Sequence, residues 1–395
     1  MPNPAFFESF EPRRLMSRAP APVADSSRES GVAIDVAYAA AKSSYIDLKS
    51  EVYGAVHDAD VPGGAGAVMK DGALAAIGAN GRRVANKRNK VTVDDRFHLG
   101  SAGKAMTTTM VARLIELGKI DWNTTIASVF PELKGKITRS FEGVTVWQLM
   151  TNRSGMRDDM SARTLIKLGT LDGDRQEQRA AMVPIVLKTE ANGDPGERFE
   201  YSNFAYAVLG AMAERATGSS FESLMFTHVF KPLGMSSAGF GAQGKDSKAY
   251  HPRGHSASGS PRTSRNDDQL PYMAPAGTMS MSVVDWGKFL KSQMGLKVNS
   301  KAKAPLLRSS TLERLHTPYD ASGTQYAAGW VVTKILGVTV LSHDGTNGNW
   351  YSTVQLIPSL KYAAYNVVNQ GGARGMEAAY DLKERMIDRV PFLDF

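Results

Sequence analysis

Ser101 and Lys104 stand three apart in Ser101-Ala102-Gly103-Lys104, where an extended segment passes into a long helical run. On a helix that spacing puts both side chains on one face. An amine beside a hydroxyl can take its proton and turn a poor nucleophile onto a carbonyl carbon. The position adds to this, because free backbone N–H groups at a helix N-terminus favour developing negative charge. An ordinary N-cap serine with a lysine one turn on would read the same way.

Context separates this tetrapeptide from its second copy. Ser300 and Lys303 repeat the spacing in Lys297-Val298-Asn299-Ser300-Lys301-Ala302-Lys303-Ala304, a polar stretch with no apolar helix behind it, which reads as a solvated loop. After Ser101 come Ala105, Met106, Met110, Val111, Leu114, Ile115 and Leu117 at helical spacing, stopped by Gly118. About a hundred residues on, Tyr201-Ser202-Asn203 is delivered by the turn Pro195-Gly196-Glu197-Arg198 and followed by the apolar run from Ala205 to Met212. Tyr201 alone reads better as a buried tyrosine that hydrogen-bonds for stability. Later, His343-Asp344-Gly345-Thr346 comes after the strand-like Gly337-Val338-Thr339-Val340-Leu341.

Serine–lysine, then tyrosine–asparagine, then a strand-end x-x-Gly is an order that resembles the penicillin-binding protein and serine β-lactamase superfamily. The resemblance runs from about Val32 to about Val390. Val61-Pro62-Gly63-Gly64-Ala65-Gly66-Ala67-Val68 looks like the family's first strand, and Lys70-Asp71-Gly72 like the turn into its second. Thr145 to Met156 looks like its "LLTHTSGL" segment, and Pro232-Leu233-Gly234-Met235 and Pro275-Ala276-Gly277-Thr278-Met279-Ser280 resemble two further segments. Class C β-lactamases, DD-carboxypeptidases and related esterases are most similar.

That resemblance implies roles. Ser101 is the expected nucleophile of an acyl-enzyme, with Lys104, or Tyr201 held as a phenolate, as its base. Asn203 orients Lys104 or binds the acyl-side amide of a substrate. The backbone N–H groups of Ser101 and Thr346 form the expected oxyanion hole, and Gly345 lets the substrate approach the backbone. The third motif departs from the usual Lys-Thr-Gly or His-Thr-Gly, since it reads His343-Asp344-Gly345. An aspartate there is expected to repel a substrate carboxylate by on the order of several kcal/mol before screening. His343 is expected to be mostly neutral at pH 7. Weak β-lactam hydrolysis is therefore expected, with better action on neutral or amine-bearing esters and amides.

Composition narrows the alternatives. A chain of 395 residues with 42% hydrophobic content can bury a large core. No run of eighteen apolar residues exists, so no membrane span is expected. There is no cysteine, which removes disulfides and thiol nucleophiles. Net charge is +8, partly from Arg82, Arg83, Lys87, Arg88 and Lys90. No aromatic residues interleave these charges, so they read as a solvated loop or hairpin tip and not as a nucleic-acid surface. His251 and His255 are four apart, but Pro252 and Gly254 deny them a helix, and no metal is expected. The absence of Gly-x-Ser-x-Gly and of a P-loop disfavours an α/β-hydrolase and nucleotide cofactors. No cofactor is expected, and the expected partner is a small ester, amide or peptide substrate.

The elements that must position these residues form an α+β pattern. A flexible segment is expected over 1–30, lacking the apolar region of a secretory signal. Within it, Phe10-Glu11-Pro12-Arg13-Arg14-Leu15-Met16-Ser17 resembles a short element of some bacterial surface proteins and hints at an extracytoplasmic location. A helix is expected over 32–54, then two strands joined at Asp71-Gly72. Helices are expected over 101–118, 146–150, 178–187, 204–216, 221–229 and 283–294. Strands return at 330–332, 338–340, 352–357 and 364–368, and a helix over 374–389 closes the chain. An antiparallel sheet built from 31–100 and 320–395 and flanked by helices is therefore expected, with a mostly helical part over 101–319 and the motifs meeting in the cleft. The polar stretch 241–270 reads either as a loop bordering that cleft or as a surface insertion. Three functions fit: a serine hydrolase acting as a carboxylesterase or peptidase/amidase, a true β-lactamase or DD-carboxypeptidase, and a non-catalytic or barely catalytic binding or sensing module.

Overall fold

Side chains alternate across a strand, so a sheet covered on both faces must be apolar on both. The central strand of this protein, Tyr-Ala-Ala-Tyr-Asn-Val-Val, is buried at every position. The computed structural model describes residues 45–242, 251–262, 268–299, 302–320, 325–335 and 337–392. Ten strands are found there: β1 (Ile46–Asp47), β2 (Gly63–Lys70), β3 (Ala73–Gly81), β4 (Phe97–His98), β5 (Gly239–Phe240), β6 (Met279–Met281), β7 (Val331–Ile335), β8 (Val338–Thr346), β9 (Tyr351–Ile357) and β10 (Tyr362–Val368). Seven of them form the main sheet in the order β1-β3-β2-β10-β9-β8-β7. Only the short β1 runs parallel to its neighbour. The early and late halves join where β2 pairs with β10, Gly66 opposite Asn366. Asp71 and Gly72, both at positive φ, turn β2 into β3, as a two-residue hairpin requires.

Five helices position the site: α1 (Lys49–Asp58), α2 (Lys104–Glu116), α3 (Asn203–Thr217), α4 (Val283–Gln293) and α5 (Gly372–Arg389). One face of the sheet carries α1 and α5, where Val52, Val56, Ala378, Leu382 and Met386 pack on Val68, Val340, Tyr351 and Ala364. On the other face Met106, Met110, Trp286 and Phe289 join Leu341, Val354, Tyr365 and Val367 in the larger core, which continues through α3. Trp286 meets Tyr365 edge-on at 5.3 Å between ring centroids. Thus α4, from the middle of the chain, lies on the sheet.

Several elements differ from expectation for identifiable reasons. The start of the helix expected over 32–54 lies outside the described residues. The rest forms β1 and then α1, which runs past Gly54 to Asp58, with the Arg385 guanidinium packed where a Gly54 side chain would stand. The run from Ser101 opens as a 3-10 turn, Gly100–Gly103, before α2. The helix expected from 178 starts at Arg175, because Asp174 and Glu177 close a capping box. Beyond Met225 the helix expected over 221–229 widens into a π turn, Phe226–Phe230. β8 does not stop at Leu341 but carries the third motif within its ladder to β9. A small sheet in the order β4-β6-β5 was not anticipated. The N-terminal octapeptide, Ser300 of the second Ser-x-x-Lys copy and parts of 241–270 lie outside the described residues.

Candidate active site

Ser101 is held by backbone on three sides. β4 pairs with β6, His98 opposite Ser280, and the Leu99 N–H donates to the Met279 carbonyl at 2.9 Å. Gly100 then takes a positive φ of 53°. A side chain there would collide with the backbone nitrogen of Thr346, and one on Gly345 would collide with the Leu99 carbonyl oxygen. Two glycines therefore let β8 lie directly against the turn that presents Ser101. Ser352 fastens the pair, its hydroxyl donating to the Leu99 carbonyl at 2.8 Å. The amides of Ser101 and Thr346 thus stand at one junction.

Lys104 is fully buried. Its Nζ lies 3.0 Å from Ser101 Oγ, 2.6 Å from Asn203 Oδ1 and 2.7 Å from the Ala276 carbonyl oxygen. An ammonium has three donors, and each meets an acceptor. Burial lowers the Lys104 pKa to about 7, against the opposing pull of Asp158. A neutral amine keeps two donors, enough for Asn203 and Ala276, and its lone pair then faces Ser101.

Asn203 opens α3 and links Lys104 to Asp158. Its Oδ1 accepts from the lysine, while its Nδ2 donates to Asp158 Oδ2 at 2.7 Å and its backbone N–H to Asp158 Oδ1 at 2.8 Å. Burial pushes the Asp158 carboxyl up, and these donors and Lys104 only partly offset it. Ser202 caps the same helix end, its Oγ accepting from the Ala205 N–H, and Asn152 Oδ1 accepts from the Ser202 N–H. These bonds fix the stretch that carries Tyr201.

The Tyr201 ring stacks under Lys104, with Nζ 4.8 Å from its centroid. Its hydroxyl is turned toward Ser101 yet is buried without a hydrogen bond of ordinary geometry. Burial holds its pKa well above the usual tyrosine value. Tyr326 packs edge-on against the same ring at 6.3 Å and places its hydroxyl 3.2 Å from His343 Nε2. His343 Nδ1 lies 2.6 Å from the Asp344 carbonyl oxygen, which can only accept, so the ring proton sits on Nδ1. Burial, aided by the charge of Lys104, lowers the His343 pKa to about 3, leaving the imidazole neutral.

Asp344 departs from expectation. Its side chain faces the α5 side of the sheet, where its Oδ2 accepts from the hydroxyls of Tyr380 and Tyr351, the latter at 3.4 Å. The two-residue period of β8 explains this, since Val340 and Asp344 share the face under α5 while Leu341, His343 and Gly345 share the other. Burial raises the Asp344 pKa, partly offset by the tyrosine hydroxyl and by Lys383. The carboxylate is therefore not beside a substrate, and the repulsion expected from it has no geometric basis.

The beta-lactamase family model matches residues 48–385 of this sequence. The chain belongs to the beta-lactamase family. Among curated relatives, Penicillin-binding protein 4 of Amycolatopsis lactamdurans is 27% identical over 79% of this chain and 82% of its own length. Protein flp of Staphylococcus aureus (strain MW2) is 24% identical over 78% of this chain, which spans only 60% of that protein. A beta-lactamase/D-alanine carboxypeptidase from Pseudomonas syringae has the same fold, with a TM-score of 0.71 at 17% identity over 86% of this chain and 97% of that one. The D-alanine carboxypeptidase AmpC from Burkholderia cenocepacia aligns with a TM-score of 0.68 at 20% identity, over 85% and 97% of the two chains.

Within this beta-lactamase-family chain the structure gathers Ser101, Lys104, Tyr201, Asn203, His343, Gly345 and Thr346 at one place and leaves Asp344 on the far side of the sheet. Sequence reasoning missed Asp158, Tyr326, His98 and Asp268, whose partners are distant in the chain. His255 is structural: its Nε2 accepts from the Ala85 N–H at 3.0 Å and its Nδ1 lies 2.6 Å from the Asn369 carbonyl. A surface cavity of about 650 Å³ lies along the edge of β3, lined by Tyr45, Asp47, Ile77 and Val91, apart from the Ser101 cluster. Among the described residues no cluster of acidic and histidine side chains is arranged to hold a metal, and no helix is long and apolar enough to cross a membrane.

Proposed function

We propose that this chain is a serine hydrolase that cleaves ester or amide bonds through an acyl-enzyme, as a carboxylesterase or a peptidase/amidase. One observation carries the reading: a buried lysine with a pKa near 7 lies within hydrogen-bond distance of a half-buried serine at a glycine-lined turn. Neutral Lys104 takes the Ser101 hydroxyl proton as Oγ attacks the carbonyl carbon. The oxyanion is received by the N–H groups of Ser101 and Thr346. As the tetrahedral intermediate collapses, the Tyr201 hydroxyl gives its proton to the leaving oxygen or nitrogen and regains one from Lys104. Water then attacks the acyl carbon with Lys104 again as base, and Lys104 passes that proton to Ser101 Oγ as the acid leaves. Tyr201 acts as a neutral relay, because burial opposes its phenolate and Lys104 lies against its ring face.

The third motif supports a neutral substrate. Its first position, lysine or histidine in the motif it resembles, is here an imidazole held uncharged, with Nδ1 committed to a carbonyl. A second reading, action on D-alanyl peptides or β-lactams, is favoured by the names of the relatives. Release of p-nitrophenol from p-nitrophenyl butyrate by wild type, lost in Ser101→Ala, is the expected result, with penicillin turned over more slowly. Equal rates in the two proteins would exclude Ser101 as nucleophile, and no turnover by either would leave a strict peptidase or a binding module.

A further inference from the structure

A single buried carboxylate touches both sides of the oxyanion junction. Asp268 Oδ1 lies 3.0 Å from His98 Nε2 and accepts from Asn347 Nδ2 at 3.0 Å. His98 precedes the Ser101 turn, and its Nδ1 accepts from the Gly100 N–H at 3.1 Å. Since Nδ1 is the acceptor, His98 is neutral with its proton on Nε2, facing Asp268. That contact lies off the ideal N–H direction, so it is chiefly electrostatic. Gly100 is the residue before Ser101, and Asn347 is the residue after Thr346. The two amides assigned to the oxyanion are thus each one peptide away from a group held by the same oxygen atom. The carboxylate is itself fixed by the N–H groups of Gln269 at 2.8 Å and Ala242 at 2.6 Å. The side chains of His98 and Asp268 are 0% and 7% exposed.

We propose that Asp268 is a positioning residue that sets the spacing of the Ser101 and Thr346 amides through His98 and Asn347. The inference rests on the serine-hydrolase reading. Two backbone amides on separate segments, β8 and the Ser101 turn, must point at one atom that carries charge only in the transition state. A ground-state carbonyl gains little from their exact spacing, whereas the tetrahedral oxyanion gains much. The clamp should therefore influence kcat and leave KM nearly unchanged.

The test compares wild type with Asp268→Asn and Asn347→Ser, the second at a partly exposed strand end, so that a readout survives if Asp268→Asn fails to fold. Active enzyme is counted by labelling Ser101 with a fluorophosphonate, and kcat, KM and the inhibition constant of phenylboronic acid, a tetrahedral anion once bound to serine, are measured per labelled site. The expected result is a fall in kcat of about tenfold to a hundredfold in Asp268→Asn and a smaller fall in Asn347→Ser. KM should stay within about twofold, and boronate affinity should weaken in step with kcat. A purely structural role would lower the labelled fraction and the melting temperature while leaving per-site kcat and boronate affinity at wild-type values, and that result overturns the clamp alone. A wild type that neither labels nor turns over ester overturns the serine-hydrolase reading, and the clamp with it.

Discussion

His343 and Asp344 are consecutive on β8 and face opposite sides of the sheet. The imidazole meets Tyr326 beside the nucleophile, and the carboxylate meets Tyr351 and Tyr380 beneath α5. On the proposed reading, electrostatic selection at this motif therefore falls to the neutral histidine. Asp344→Thr is expected to leave the ratio of penicillin to neutral-ester turnover unchanged. It should lower unfolding free energy by about 1–3 kcal/mol, because a buried and a half-buried tyrosine hydroxyl lose their acceptor. Steady-state kinetics on both substrates and urea unfolding check this, and a selective gain on the anionic substrate would contradict it.

His343→Lys tests the same point from the other face. A cation at this position is expected to raise kcat/KM for anionic relative to neutral substrates by about tenfold, with some loss of stability from burying the charge. A parallel change for both substrate types would show that the position does not read charge.

On the proposed mechanism, Lys104 sets the pH profile. Its pKa is lowered to about 7, and the base is the deprotonated amine, so kcat/KM should rise with pH and level off above a midpoint near 7. Asp158 stabilises the ammonium, so Asp158→Asn should move that midpoint to lower pH. A midpoint that stays in place or moves up would remove Asp158 from the network.

Tyr201 separates catalysis from stability. Its buried hydroxyl makes no ordinary hydrogen bond, so Tyr201→Phe should unfold within about 1 kcal/mol of wild type. Turnover should nonetheless fall by about a hundredfold or more, because the leaving group loses its proton donor. A variant with nearly full activity would return Tyr201 to a packing role.

Much of the scaffold was legible because its signals are local. The helix Val146–Met150 is found at its expected bounds, and its start is fixed by a capping box between Thr145 and Gln148. The Asp71-Gly72 hairpin and the four late strands carry their own turn and alternation signals. Ser101, Lys104, Tyr201 and Asn203 stood out because two short spacings carry them. Asp158 and Asp268 did not, since a carboxylate gives no hint that its partner lies dozens of positions away. The orientation of Asp344 was available and missed: had β8 been continued through the motif, its alternation would have put His343 and Asp344 on opposite faces.

The pairing of β2 with β10 also joins two ends of the chain that are made far apart in time. Gly66 must find Asn366, roughly 300 positions later, and loop closure over such a distance is slow even though its entropic cost grows only logarithmically. A nascent chain that has already emerged with Ser101, Lys104 and Tyr201 still lacks β8 and the Thr346 amide. On the proposed serine-hydrolase reading, the Ser101 site stays incomplete until β8 has joined the sheet.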